Sequence, residues 1–126
     1  MSKANITEIN ATLPEKMKKL SRYFDYVVAD IKIKSCSGQQ NFKDNKKFFD
    51  VCNSYLVKIV VAETVEEKEF LEAVKIAEKA DCVVIQPMRA GKGLAIKPEK
   101  LLTLQEKALN IRSDVRIITP AQQFLL

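Results

Sequence analysis

The sequence predicts an α/β fold: a parallel sheet of about five strands alternating with four helices, in one domain spanning residues 1–126. Two observations carry this expectation. Short, almost wholly apolar runs rich in valine and isoleucine recur along the chain, as strands buried on both faces require. Between them lie longer stretches whose apolar residues fall at helical spacing behind capping residues or proline. The length suits one domain that buries roughly two-thirds of its unfolded surface.

Ile6 to Asn10 reads as a short first strand. Thr12-Leu13-Pro14-Glu15 then opens a helix, with a capping threonine, a proline in the first turn and a glutamate able to complete a capping box. Leu13, Met17, Leu20 and Phe24 form its apolar stripe. Tyr26-Val27-Val28-Ala29-Asp30-Ile31-Lys32 is the organising strand. Alternation sends Val28, Asp30 and Lys32 to one face and Val27, Ala29 and Ile31 to the other. A charge is costly to desolvate unless paired, so the polar face either looks into a site or carries a structural ion pair at the strand end.

Lys34 to Asn41 is polar, contains Gly38 and reads as a loop; a helix from about Phe42 to Asn53 follows, with Phe48, Phe49 and Cys52 inward. In the next strand, Tyr55 to Val61, Lys58 interrupts an apolar run. Thr64-Val65-Glu66-Glu67 repeats the capping-box pattern before a helix to about Ala80, with Phe70, Leu71, Val74 and Ala77 on one side. Cys82 to Gln86 is a third buried strand closed by Pro87, and Met88 to Ile96 reads as a loop containing Arg89, Gly91, Lys92 and Gly93. Pro98 starts a helix carrying Leu101, Leu102, Leu104, Ala108 and Leu109, and Asn110 suits its end. Val115 to Thr119 is the last strand, stopped by Pro120.

Composition narrows the function. The net charge of +5 is interleaved with acids, and no arginine stripe with aromatics accompanies it, so nucleic-acid binding is not expected. No apolar run approaches the roughly 20 residues of a membrane span, and the first residues lack a signal-peptide core, so a cytoplasmic protein is expected. With no histidine, Ser-His and Cys-His chemistry drops out. Cys36, Cys52 and Cys82 show no metal-ligand spacing, and reduced thiols with no metal site are expected.

Working residues of parallel α/β folds gather at the C-terminal ends of strands. Here Glu8 and Asn10, Asp30 and Lys32, Lys58, and Gln86 fall there or on one face, a set able to hold a zwitterionic or anionic ligand. Each also has a plain structural reading: an exposed terminus for Glu8, a turn cap for Asn10, a snorkelling Lys58 and backbone pairing for Gln86. The Gly91-Lys92-Gly93 loop lacks the frame of a phosphate-binding loop, although Arg89 could contact an anion.

Several of these segments in order resemble one family. Glu8-Ile9-Asn10-Ala11-Thr12-Leu13-Pro14-Glu15 is similar to E-T-N-G-T-L-P-E, and Asp25 to Lys32 to D-x-V-x-x-D-I-K. Val57-Lys58-Ile59-Val60-Val61, Ile85-Gln86-Pro87 and Asp114-Val115-Arg116-Ile117-Ile118 resemble V-K-I-V-V, I-Q-P and D-V-R-V-I. These patterns occur in the C-terminal part of radical S-adenosylmethionine enzymes of the 7-carboxy-7-deazaguanine synthase kind, which serve queuosine and archaeosine biosynthesis. The resemblance implies the second part of a partial (β/α)6 TIM-like barrel. It also implies S-adenosylmethionine contacts from Glu8, Asn10, Asp30 and Lys32, with Lys58 and Gln86 lining the same cavity toward a pterin-like substrate; Arg89, from the loop reading, is expected as a further substrate contact.

The family's C-x-x-x-C-x-x-C motif, whose thiolates hold a [4Fe–4S] cluster, is absent, as is its G-G-E-P segment. Ala11 stands where glycine is usual, and Thr119-Pro120-Ala121-Gln122-Gln123 replaces the usual P-Q-T-H-K ending. The cluster is therefore expected only in a complete enzyme. The expected partner is a missing N-terminal half or a second copy that covers the open edge of the first strand. The alternative is a non-catalytic α/β binding or assembly module that dimerises through that edge.

Overall fold

Side-chain alternation along the strands decides the architecture, as a computed structural model covering residues 6–10, 26–52 and 54–118 makes plain. In chain order its elements begin with β1 (Ile6–Asn10), β2 (Tyr26–Ile31), α1 (Lys34–Ser37), α2 (Phe42–Asp50), β3 (Tyr55–Val61) and α3 (Glu67–Ile76). They continue with β4 (Cys82–Pro87), β5 (Arg89–Ala90), β6 (Gly93–Leu94), α4 (Pro98–Leu109) and β7 (Val115–Ile117). The helix expected from Thr12 to Phe24, and the chain end from Thr119 onward, lie outside the described residues.

Five strands form one wholly parallel sheet in the order β1-β2-β3-β4-β7. The order never reverses, so connections of one hand keep their helices on one side. Burial bears this out. Ala29, Ile31, Val57, Ile59, Val61, Val83 and Ile85 are fully buried, in one core with Phe48 of α2, Phe70, Ala73 and Val74 of α3, and Leu104 and Ala108 of α4. Of the intervening residues, Val28, Asp30, Leu56, Lys58, Val60 and Gln86 are half-buried, whereas Cys82 and Val84 of β4 are buried.

The helices follow from the same periodicity. In α4 the residues Leu101, Leu104 and Ala108, three and four apart, are buried, and Pro98 occupies the first turn. Leu102 and Leu109, which the helix also carries, are 60% and 44% exposed, because they lie off the buried stripe of the helical wheel. Helix α2 stops at Asp50, short of the expected Asn53; its last turn tightens as the Val51 and Cys52 amides donate to the carbonyls of Phe48 and Phe49.

Two stretches expected as loops are ordered. Residues 34–37 make the single helical turn α1, closed by Gly38 in the left-handed conformation, where its amide donates to the Lys34 carbonyl. The segment after β4 contains the hairpin β5–β6, with Gly91 at φ 59° in its turn. Its base is fixed to the sheet: the Met88 amide donates to the Val61 carbonyl at 2.8 Å, and that of Glu63 to Ala95 at 2.7 Å.

Candidate ligand site on the open face of the sheet

Parallel register brings the polar strand residues into rows. Asn10, Asp30, Lys58, Val84 and Arg116 stand in one register line across all five strands. Neighbouring strands lie about 4.8 Å apart, so Asp30 and Lys58 are direct neighbours. One step toward the strand ends, Gln86 stands beside Val60, while Lys32 follows β2 directly. The structure therefore brings Asp30, Lys32, Lys58 and Gln86 together on the half-buried face. Glu8 is in register with Val28, one step toward the strand starts.

Arg89 is placed differently. It lies past the end of β4 in the hairpin, exposed and in register with Leu94. Expected with Lys58 and Gln86 as a substrate contact, it belongs to a separate two-stranded sheet.

The ion pair considered as an alternative for the organising strand exists: Lys32 Nζ lies 3.4 Å from Asp30 Oδ2. With side chains 35% and 21% exposed it is long and partly solvated, a geometry that stabilises little. It also leaves Asp30 half served. Oδ1 is buried and accepts no hydrogen bond among the described residues. An unmet buried acceptor costs about 1–3 kcal/mol, so a native chain that keeps one is commonly waiting for a donor.

A second polar cluster sits at the same ends of β2 and β3, and sequence reasoning missed it. Glu69, in the first turn of α3, is 8% exposed. Its carboxylate accepts from the Lys34 amide at 2.7 Å, the Ser35 amide at 2.9 Å, the Ser35 hydroxyl at 2.7 Å and the Gln40 side-chain amide. Burial alone would raise the Glu69 pKa; the bonds from Ser35, Lys34 and Gln40 outweigh it and hold the group below the usual carboxylate range. Ser35 Oγ also accepts the Glu66 amide, so it caps α3 from another loop. The expected capping box does not form, because the Thr64 hydroxyl donates instead to the Ser35 carbonyl. A serine some thirty residues upstream gives no local signal, although Glu69 in a helix first turn was legible.

The thiols are dispersed. Cys36 Sγ accepts the Ala62 amide at 3.3 Å, Cys52 donates to the Phe48 carbonyl at 3.3 Å, and Cys82 contacts Asp114 Oδ1 at 3.5 Å. None is disulfide-bonded. Burial pushes Cys52 up to about 12; burial and then the Asp114 carboxylate push Cys82 up to about 11. Among the described residues no three His, Cys, Asp or Glu side chains gather as a metal site, and no helix is long and apolar enough to cross a membrane. Two cavities among the described residues lie away from the polar row. One of about 470 Å³, lined by Phe49, Tyr55, Lys75 and Ile76, opens at the start of β3; another of about 480 Å³ lies between Glu63, the hairpin and Pro98.

The fold and this row define a class: a parallel α/β sheet with its helices on one face and a mixed acid–base site on the other. No protein-family model and no solved structure matches the chain. Two curated proteins do. The 7-carboxy-7-deazaguanine synthase of Geobacter sulfurreducens is 34% identical over 125 residues, covering 94% of this chain and 50% of that protein. That of Archaeoglobus fulgidus is 31% identical over 128 residues, covering 94% and 53%. The chain is thus homologous to part of 7-carboxy-7-deazaguanine synthase and spans about half the length of these relatives.

Proposed function

We propose that this chain is the C-terminal portion of a radical S-adenosylmethionine enzyme similar to 7-carboxy-7-deazaguanine synthase. It contributes part of the cofactor site and part of the site for a pterin-like substrate, in the second part of a (β/α)6-type barrel. The observation that carries the reading is the open-face row, in which Asp30 Oδ1, beside two lysines, accepts no hydrogen bond among the described residues. S-adenosylmethionine offers that acceptor an ammonium group and ribose hydroxyls, and its carboxylate suits Lys32. Glu8 and Asn10 of β1 belong to the cofactor side, Lys58 and Gln86 to the substrate side, and Arg89, exposed on the neighbouring hairpin, is assigned to the substrate as well. A parallel sheet whose described helices pack on one face suits a barrel segment.

A [4Fe–4S] cluster held outside this chain would supply the reducing electron for S-adenosylmethionine in the complete enzyme, and the residues of the row would hold and orient the cofactor and the pterin-like substrate. The dispersed thiols of this chain support cluster ligands that lie elsewhere, in a longer polypeptide or a partner. The outer edge of β1 is where that half, or a second copy, adds its strand. A cytoplasmic setting suits a protected cluster.

The test is reconstitution. The chain is co-expressed with a cluster-bearing N-terminal half from a relative, and formation of 5′-deoxyadenosine from S-adenosylmethionine is measured. Cleavage that depends on this chain supports the reading; a folded, cluster-loaded complex that stays inert defeats it.

A further inference from the structure

We propose that Glu69 is a positioning residue for the open-face site: its carboxylate grips the backbone just past β2 and thereby aims Lys32 at the ligand. The inference rests on the reading of that face as a cofactor site, and the test below separates the two.

Asp30 and Lys32 are held in different ways. Asp30 lies inside the sheet, in register with Asn10 on one side and Lys58 on the other. The ladder between β2 and β3 runs to Ile31 and Ile59, and Lys32 follows it outside the strand. Its backbone is therefore set by what holds the chain on either side. Upstream that is the ladder. Downstream it is the fully buried Ile33 and then the amides of Lys34 and Ser35, which donate to the Glu69 carboxylate at 2.7 and 2.9 Å. The Ser35 hydroxyl and the Gln40 side-chain amide donate to the same carboxylate. One residue, Ile33, separates Lys32 from this clamp.

The clamp stands on a rigid element. Glu69 belongs to the first turn of α3, and Phe70, Ala73 and Val74 of the same helix are fully buried in the core. A support of this kind, built on packed secondary structure, keeps a site residue within its working geometry. The local alternative was present and is not used. Thr64 could cap α3, yet its hydroxyl donates to the Ser35 carbonyl, while Ser35 Oγ accepts the Glu66 amide. Stability alone would be served as well by a local cap. The bonds instead converge on one point of the fold, the turn that follows Lys32. Bonds to an ionised acceptor are about twice as strong as neutral ones, so the carboxylate holds that turn more firmly than an amide would.

The full chain is titrated by calorimetry with S-adenosylmethionine and with 5′-methylthioadenosine, which lacks the amino-acid carboxylate assigned to Lys32. Glu69→Gln weakens S-adenosylmethionine about tenfold, the worth of one charge-assisted pair, and leaves 5′-methylthioadenosine unchanged. In a Lys32→Ala background the same substitution weakens it no further, because the group it aims is gone. Val74→Ala, a truncation in the core of the same helix, lowers the unfolding midpoint and changes neither affinity. Ser35→Ala removes one donor, keeps the carboxylate and gives a smaller loss in the same direction; it decides the matter where Glu69→Gln does not fold. Equal weakening of both ligands, no weakening of either, an undiminished loss on top of Lys32→Ala, or the same loss in Val74→Ala overturns the positioning role and leaves the cofactor site standing. A native chain that binds no S-adenosylmethionine overturns both.

Discussion

The two faces of the sheet are made by alternate residues of the same strands, yet they have different chemistry. On the helix side Val57, Ile59 and Val61 are fully buried; one residue out of step on β3, Leu56, Lys58 and Val60 remain half-buried. The covered face is filled by interchangeable apolar volume from three helices. The open face carries specified charges, and one of them has a carboxylate oxygen that accepts no hydrogen bond among the described residues. Stability and ligand recognition are therefore assigned to opposite parities of one sequence, and substitutions can be aimed at either.

The largest effect should come from the covered face. Phe70→Ala removes a fully buried ring from the middle of the core and is expected to cost about 3–5 kcal/mol, read from urea unfolding. A loss under about 1 kcal/mol would mean that α3 is not what closes this face.

Next comes the junction at the strand ends. Glu69→Ala strands the Lys34 and Ser35 amides and should cost about 2–3 kcal/mol. The pH dependence has a definite sign. The folded pKa of Glu69 is depressed, so its stabilisation is complete above the ordinary glutamate value and lost as pH falls through the folded one. Unfolding free energy measured from pH 7 down to 3 should fall more steeply in the native chain than in Glu69→Gln. Parallel curves would remove the carboxylate from the account.

The smallest stability effect belongs to the open face. Lys32→Ala with Lys58→Ala should shift unfolding by less than about 1 kcal/mol, since both side chains are part-solvated, while binding of S-adenosylmethionine or a carboxylated pterin to the chain is lost. A large stability loss with binding intact would turn the row into a structural network and favour the non-catalytic module.

Legibility followed range. The organising strand could be read because a period of two is local: Ala29 and Ile31 inward, Asp30 and Lys32 outward, as found. Parallel register then aligned Asp30 with Lys58 without further information. Arg89 shows the limit, since a residue three past Gln86 can continue a strand or turn away, and the fixed base of the hairpin decides it. The Ser35–Glu69 junction was out of reach because it joins segments 34 residues apart, visible only once β2 and β3 are paired.

That junction bears on how the chain acquires its shape. Helix α3 has no side-chain cap of its own, and its leading amide is met by Ser35 from the segment after β2. A short helix without a cap is marginal in water. Residues 62–80 as a free peptide should therefore show little helicity. In the chain, α3 becomes firm only when the turn after β2 has arrived, which ties helix growth to strand pairing in one cooperative unit.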